Sequence, residues 1–289
     1  MTSTGNTRMH LLLACVLLVL TVATARSADI SFYVGQWNLD GWYDATQFDD
    51  VDQIISEAGK NFNDIQQFDD EQFPAFEAWI NANMSDNEVD IIWLNGCIPS
   101  VLYPFPNLNP DGSLAEDWLD NGNMFINVGD WFAYVSYECD GARCADNGSS
   151  GAANILDLNP SIIAFANDGA LQPTPTGETY MPSLGVDVDV STDRPIIAAE
   201  VGSPWEVAGA FATNNGKESG DRLDPVVLRN TDTNGYLAII NQKVGPATWI
   251  HRGTAVVEFI NNWVVENVEG YLAVAATGKL TTTWGRLKQ

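Results

Sequence analysis

Residues 119–131 read Leu-Asp-Asn-Gly-Asn-Met-Phe-Ile-Asn-Val-Gly-Asp-Trp, and how this stretch is read decides the fold. Met124 to Val128 is a short apolar run closed on both sides by Gly, Asn and Asp. That length and framing suit a strand buried on both faces. Asn121-Gly122 ends a short helical patch, Leu114 to Leu119, just before it. The unit is therefore helix, turn, strand, then a turn at Gly129-Asp130-Trp131.

Working outward toward the N-terminus, the same alternation repeats. Val89 to Leu94 is a strand ending at Asn95-Gly96-Cys97, and Ile30 to Trp37 is another. Between them Phe48, Val51, Ile55 and Ala58 mark one face of a helix, with Thr46 as N-cap and Gly59 as terminator. A weaker strand is expected over Phe62 to Phe68. Pro74 then opens a second helix with Phe73, Phe76 and Ile80 on its buried side. Strands alternating with helices require crossovers and a parallel sheet covered on both faces. The expected class is α/β, a flavodoxin-like three-layer sandwich with a mostly parallel central sheet.

Toward the C-terminus, residues 132–194 are rich in Gly, Asn, Pro and Thr and read as an irregular insertion, not a second core. The stretch Pro173-Thr174-Pro175-Thr176-Gly177 is read as non-helical. Pro195 to Ala199 reads as a strand and Trp205 to Phe211 as a helical patch. Pro225–Leu228 and Tyr236–Ile240 flank Asn234-Gly235 as two adjacent strands, a hairpin. Val256, Ile260, Trp263 and Val264 mark a final helix from about Gly253 to Val268.

The first residues have the layout of a secretory signal. Arg8 and His10 precede the apolar run Leu11–Val22, and the small residues Ala23 and Ala25 follow. The expected division is a signal peptide over 1–25, one domain over 26–268 containing the insertion, and a peripheral basic tail over 269–289. Ala28 is the second choice for the cut. An uncleaved anchor, or a lipid on Cys15, are the competing readings. The expected location is secreted or periplasmic, with no membrane segment after cleavage. That compartment permits a disulfide, and Cys139 and Cys144 are the natural pair.

Thirteen Lys and Arg against 38 Asp and Glu give a net charge of −25 in 289 residues. Such a chain does not neutralise phosphates or dock on anionic lipid, so no nucleic-acid partner is expected. The acids suit a solvated surface. A structural calcium ion is the alternative, with Asp49, Asp50, Asp52, Asp64, Asp69, Asp70, Asp187 and Asp189 as its sources; none has the spacing of a calcium loop. There is no phosphate loop, no dinucleotide fingerprint and no Gly-x-Ser-x-Gly turn. No metal-ligand set is read, and no resident cofactor.

Three stretches carry a resemblance: Val-Asp-Ile-Ile-Trp-Leu-Asn-Gly at 89–96, the 119–131 unit, and Asn-Gly-Tyr-Leu-Ala-Ile-Ile-Asn at 234–241 with the helix that follows. Their order resembles the class I glutamine amidotransferase-like fold, and within it the ThuA-like, trehalose-utilisation-type proteins. The resemblance implies a ligand site at the turn after Met124–Val128. Catalytic members carry a Cys in a Gly-x-Cys-x-Gly turn there and a His-x-Glu pair late in the chain. Here the turn reads Gly129-Asp130-Trp131, and His251 is followed two residues on by Gly253. The resemblance therefore implies a member without glutaminase chemistry.

Several residues stand at expected carboxyl ends of strands, where α/β proteins bind ligands. Asn95, Asp130, Trp131 and Glu200 are the ligand-binding candidates. Cys97, with His251 as its base, is a candidate nucleophile set against an inert buried thiol. Asp130 paired with Glu200 would supply the two carboxylates of a glycoside hydrolase; the plain alternative for Asp130 is a helix N-cap. Ten tryptophans include Trp37, Trp42, Trp93, Trp131 and Trp205 near strand ends, a surface for stacking sugars if their faces are open, while Trp79 and Trp263 read as core. The leading reading is an exported domain that binds a small polar ligand, a saccharide, at the sheet's carboxyl edge. A carbohydrate-active hydrolase and a structural or interaction protein are the alternatives.

Overall fold

The computed structural model describes residues 28–35, 46–105, 112–129, 131–137, 143–158, 162–164, 169–242 and 252–268. Residues 1–25, expected to be a signal peptide, Trp37, Trp42, Asp130, Cys139, His251 and residues 269–289 lie outside the described residues. For Cys97 and Cys144 the backbone alone is described.

The first half follows the expected alternation. Strand β1 (Ile30–Tyr33), helix α1 (Thr46–Ala58), β2 (Ile65–Phe68), α2 (Phe73–Asn83), β3 (Ile91–Leu94), β4 (Cys97–Pro99), α3 (Leu114–Asp120) and β5 (Met124–Gly129) come in that order. Helix α2 starts with Pro74 in its first turn and buries Phe73, Phe76 and Ile80. Ser113 and Glu116 form a reciprocal capping box that fixes the start of α3.

The insertion supplies β6 (Val135–Tyr137), β7 (Arg143–Asp146), α4 (Ser150–Ile155), β8 (Gly169–Ala170), β9 (Gln172–Pro173), α5 (Pro175–Tyr180) and β10 (Ser191–Thr192). Its apolar side chains join the two clusters that flank the main sheet: Leu171, Met181 and Leu184 on one side, Ile155, Leu156 and Ile162 on the other. Then come β11 (Ile196–Ile197), β12 (Trp205–Ala210), β13 (Ala212–Thr213), β14 (Arg222–Leu223), β15 (Val226–Asn230) and β16 (Tyr236–Gln242). The chain of described residues closes with α6 (Gly253–Glu258), a π-helical stretch Phe259–Val264, and α7 (Val265–Asn267). No helix among the described residues is long and apolar enough to cross a membrane.

Seven strands form the central sheet in the order β2-β1-β3-β5-β16-β15-β12. The first five are parallel, and β15 and β12 extend the sheet antiparallel. The parallel part has the 2-1-3-4-5 order of flavodoxin-like sheets. Met124–Gly129 lies in its interior, with Ile91 opposite Met124 on one side and Tyr236 on the other. Alternate residues of each strand point to opposite faces. Ile91, Trp93, Met124, Ile126 and Val128 pack beneath α1 and α6, while Ile92, Leu94 and Phe125 pack beneath α2 and α3. The molecule is thus a three-layer α/β/α sandwich.

Three local expectations are corrected. Trp205–Ala210 is an edge strand, not a helix. Its pairing with β15 shifts between Val207 and Gly209, so residues 206–208 are exposed together while Trp205 and Ala210 are buried. That bulge breaks the alternation that identifies a strand and mimics a helical spacing. Residues 175–180 are helical despite two prolines. Pro175 sits at the first helical position, where no donor is needed, and Thr174 Oγ1 accepts the Gly177 N–H at 3.0 Å. The strand expected over Pro195–Ala199 shrinks to Ile196–Ile197 and turns into a 3-10 helix at Ala198–Glu200. The hairpin Val226–Gln242 and the final helix form where they are expected.

Candidate functional site

In this sheet the strand order reverses between β1 and β3, because α1 carries the chain to one side of β1 and α2 to the other. A crevice opens at the carboxyl ends of such strands. β1 runs out through Val34 to Gly35, where a Cβ would overlap Asp70 Oδ1 and Tyr33 Oη, so the turn needs glycine. The buried Tyr33 hydroxyl donates to Asp70 at the end of β2.

β3 runs out at Asn95, which is fully buried, and Gly96, whose φ of 92° suits glycine. β5 runs out at Gly129, with φ 84°, followed by Trp131. Leu94 is in register with Asn127, so the ends bearing Asn95 and Trp131 are neighbours. Cys97 does not stay at this edge. It begins β4, pairs with Val135 and leads into the small sheet β4-β6-β7.

Trp131 does not offer an open face. It is 2% exposed, the Arg194 guanidinium covers its ring at 4.6 Å, and Tyr134 meets it edge-on at 4.5 Å. Trp93 and Trp205 are likewise buried, and the Trp205 indole donates to Leu156 O at 2.9 Å. Glu200 sits in a half-buried 3-10 turn. That turn lies on the run from Ile197, which pairs with Arg222, to Trp205, which pairs with Asn230 at the opposite end of the sheet. It does not end a strand entering the crevice.

A dense polar arrangement lies beside Trp131, at the ends of β5 and β16. Gln242 Oε1 accepts the Phe132 N–H at 2.8 Å and Asn127 Nδ2 at 3.2 Å, while its Nε2 donates to Arg194 O at 2.7 Å. Asn241 stands at a bulge with φ 52°, donates through Nδ2 to Asp189 O, and leaves its buried Oδ1 without a hydrogen-bond partner. Asp224 lies beneath both. It accepts from Asn241 N, Gln242 N and Thr192 Oγ1 at 2.5–2.8 Å. Burial pushes its carboxyl up to about 6, against the lowering effect of these donors and of the Arg252 charge. Arg252 is 1% exposed, and its Nε donates to Asn241 O at 2.9 Å. Bulges, left-handed non-glycine residues and perturbed acids concentrate at functional sites.

This arrangement is built from hydrogen-bonding groups. Its members are amides, arginines and one carboxylate committed to backbone donors. Sequence reasoning passed over Thr192, Asp224, Asn241, Gln242 and Arg252. The available signal was Asn241-Gln242 directly after the apolar run Tyr236–Ile240, at what must be a carboxyl end. Among the described residues no group of three or more His, Cys, Asp or Glu is placed to hold a metal ion. Asp50, Asp69 and Asp189, three of the acids weighed as calcium ligands, accept backbone N–H groups. Two hollows lie elsewhere: one of about 230 Å³ lined by Glu116, Asp117, Asp120, Asp157 and Trp205, and a groove of about 570 Å³ along 170–173 and 185–190. No family model matches this chain, and no curated protein matches it.

Proposed function

We propose that this protein is an exported, non-glutaminase relative of the ThuA-like amidotransferase-fold proteins that binds a small polar ligand of the saccharide class at the carboxyl edge of its sheet. The observation that carries this reading is the adjacency of Asn95-Gly96 and Gly129-Trp131 at neighbouring strand ends beside the β1/β3 reversal. The buried amides of Asn95, Asn127, Asn241 and Gln242 around those ends favour a ligand rich in hydroxyl groups over a charged one. The arginines at this edge already stack on Trp131 or bond a backbone carbonyl, which further favours an uncharged ligand.

The test is a thermal-shift and calorimetry panel of mono- and disaccharides, run on the native chain, Asn95→Ala and Asp130→Asn. A ligand at 100 times its Kd raises stability by about 2.7 kcal/mol. The expected result is a shift with at least one sugar that either substitution weakens tenfold or more while the fold persists. If no sugar binds, or if both variants bind as the native chain does, the reading fails.

A further inference from the structure

The opposite edge of the sheet is built from carboxylates. Asp29 precedes β1, Asp64 precedes β2 and Asp90 precedes β3, while Asn123 precedes β5. They cross-link the strand starts. Asp64 N donates to Asp29 Oδ1 at 2.8 Å, Asp29 N to Asp90 Oδ1 at 2.6 Å, and Asp90 N to Asn123 Oδ1 at 3.0 Å. Asp90 is the innermost of these acids and has no exposed surface. Its Oδ2 has neither solvent nor a hydrogen-bond partner. The charges acting on it share its own sign: Asp86 and Glu88 from the segment between α2 and β3, and Asp29 from the start of β1. Asn63 and Asp64, before β2, reach Asp29 and not Asp90.

We propose that Asp90 carries a proton in the native protein at neutral pH and acts as a pH-sensitive latch: neutral, it ties the start of β3 to β1; ionised, it loosens that edge. A buried carboxylate with one N–H for two oxygens, ringed by like charge, is costly, and a neutral acid avoids that cost. Desolvation first, then repulsion from Asp86, Asp29 and Glu88, pushes the group up to about 8, and the Asp29 N–H opposes the rise only in part. Because the folded-state value lies above the unfolded one, the contribution to stability is complete below the unfolded value near 4 and is lost as pH rises through about 8.

Carboxyl-carbon NMR of the full chain, titrated from acid to alkaline pH and assigned with Asp90→Asn, tests the idea. One carboxyl should titrate above pH 7 and be absent from the variant. Amide exchange of residues 28–33, corrected for its intrinsic pH dependence, should accelerate about tenfold or more across that titration in the native chain. Residues 236–242 should not change, and Asp90→Asn should remove the effect. If every carboxyl of the native chain titrates below pH 6, the proposal is overturned whether or not the variant folds. An unchanged exchange rate at 28–33 overturns it equally.

Discussion

The two ends of one sheet handle buried polar groups in opposite ways. At the amino edge short acidic side chains accept backbone N–H groups directly before each strand, and Asp29, Asp64 and Asp90 knit three strand starts together. At the carboxyl edge the polar groups come from distant parts of the chain. Asp224 gathers donors from Thr192, Asn241 and Gln242, and Gln242 in turn ties the turn after β5 to Arg194. At the amino edge each tie is a single bond between neighbouring strand starts, whereas at the carboxyl edge Asp224 and Gln242 each gather three bonds.

Removing the central acceptor of the assembled edge should break this contrast most severely. Asp224→Ala leaves two backbone N–H groups buried without that acceptor, leaves the Thr192 hydroxyl only a 3.3 Å bond to Gln242 O, and takes away a charge opposing Arg252. A loss of about 3–5 kcal/mol is expected in urea unfolding at neutral pH. Asp50 tests the tie between the layers. Its Oδ1 accepts Arg252 N at 3.0 Å and Gly253 N at 2.8 Å, so an acid on α1 caps the start of α6. Asp50→Ala should cost about 1–2 kcal/mol in the same measurement.

The pH dependence of stability separates the edges. Both Asp224 and Asp90 are raised by burial, so each makes the native state bind a proton the unfolded chain has released, and stability falls as pH rises. The slope per acid is at most about 1.4 kcal/mol per pH unit. Asp224→Asn should flatten the fall between pH 4 and about 6, and Asp90→Asn should flatten it on to about 8. Equal profiles for the two variants would erase the distinction. The smallest effect belongs to the surface: Arg229→Ala, which loses a partly exposed 3.6 Å ion pair with Glu206 and exposed bonds to Asn234 Oδ1, should change stability by no more than about 0.5 kcal/mol.

The strands that were legible are those buried on both faces. Ile91–Leu94 and Met124–Val128 are wholly enclosed, so they read as unbroken apolar runs, and the helices between them show one buried stripe each. Trp205–Ala210 escaped because an edge strand is half exposed and its bulge scrambles the period. Residues 175–180 escaped because two prolines suggest a turn, although one of them is a good first helical residue. For the site, Asn95 and Trp131 were placed at the correct edge by counting strands. That Arg194 would close over Trp131 was not readable, because a cation at the end of the insertion shows nothing locally of where it folds.

The sequence by itself determined the layers, since burying apolar runs of period 2 and stripes of period 3.6 leaves a parallel sheet between helices as their common solution. Tertiary structure alone decided which polar residues meet. Gln242 meets Asn127 and Phe132 from more than 100 residues away, and Thr192 meets Asp224 across 32, only when β5, β16 and the segments beside them are paired. Hydrophobic burial is proportional to area and leaves a repeating trace in the chain, whereas a hydrogen bond needs two particular atoms within about 3 Å, and nothing in the spacing of residues records that.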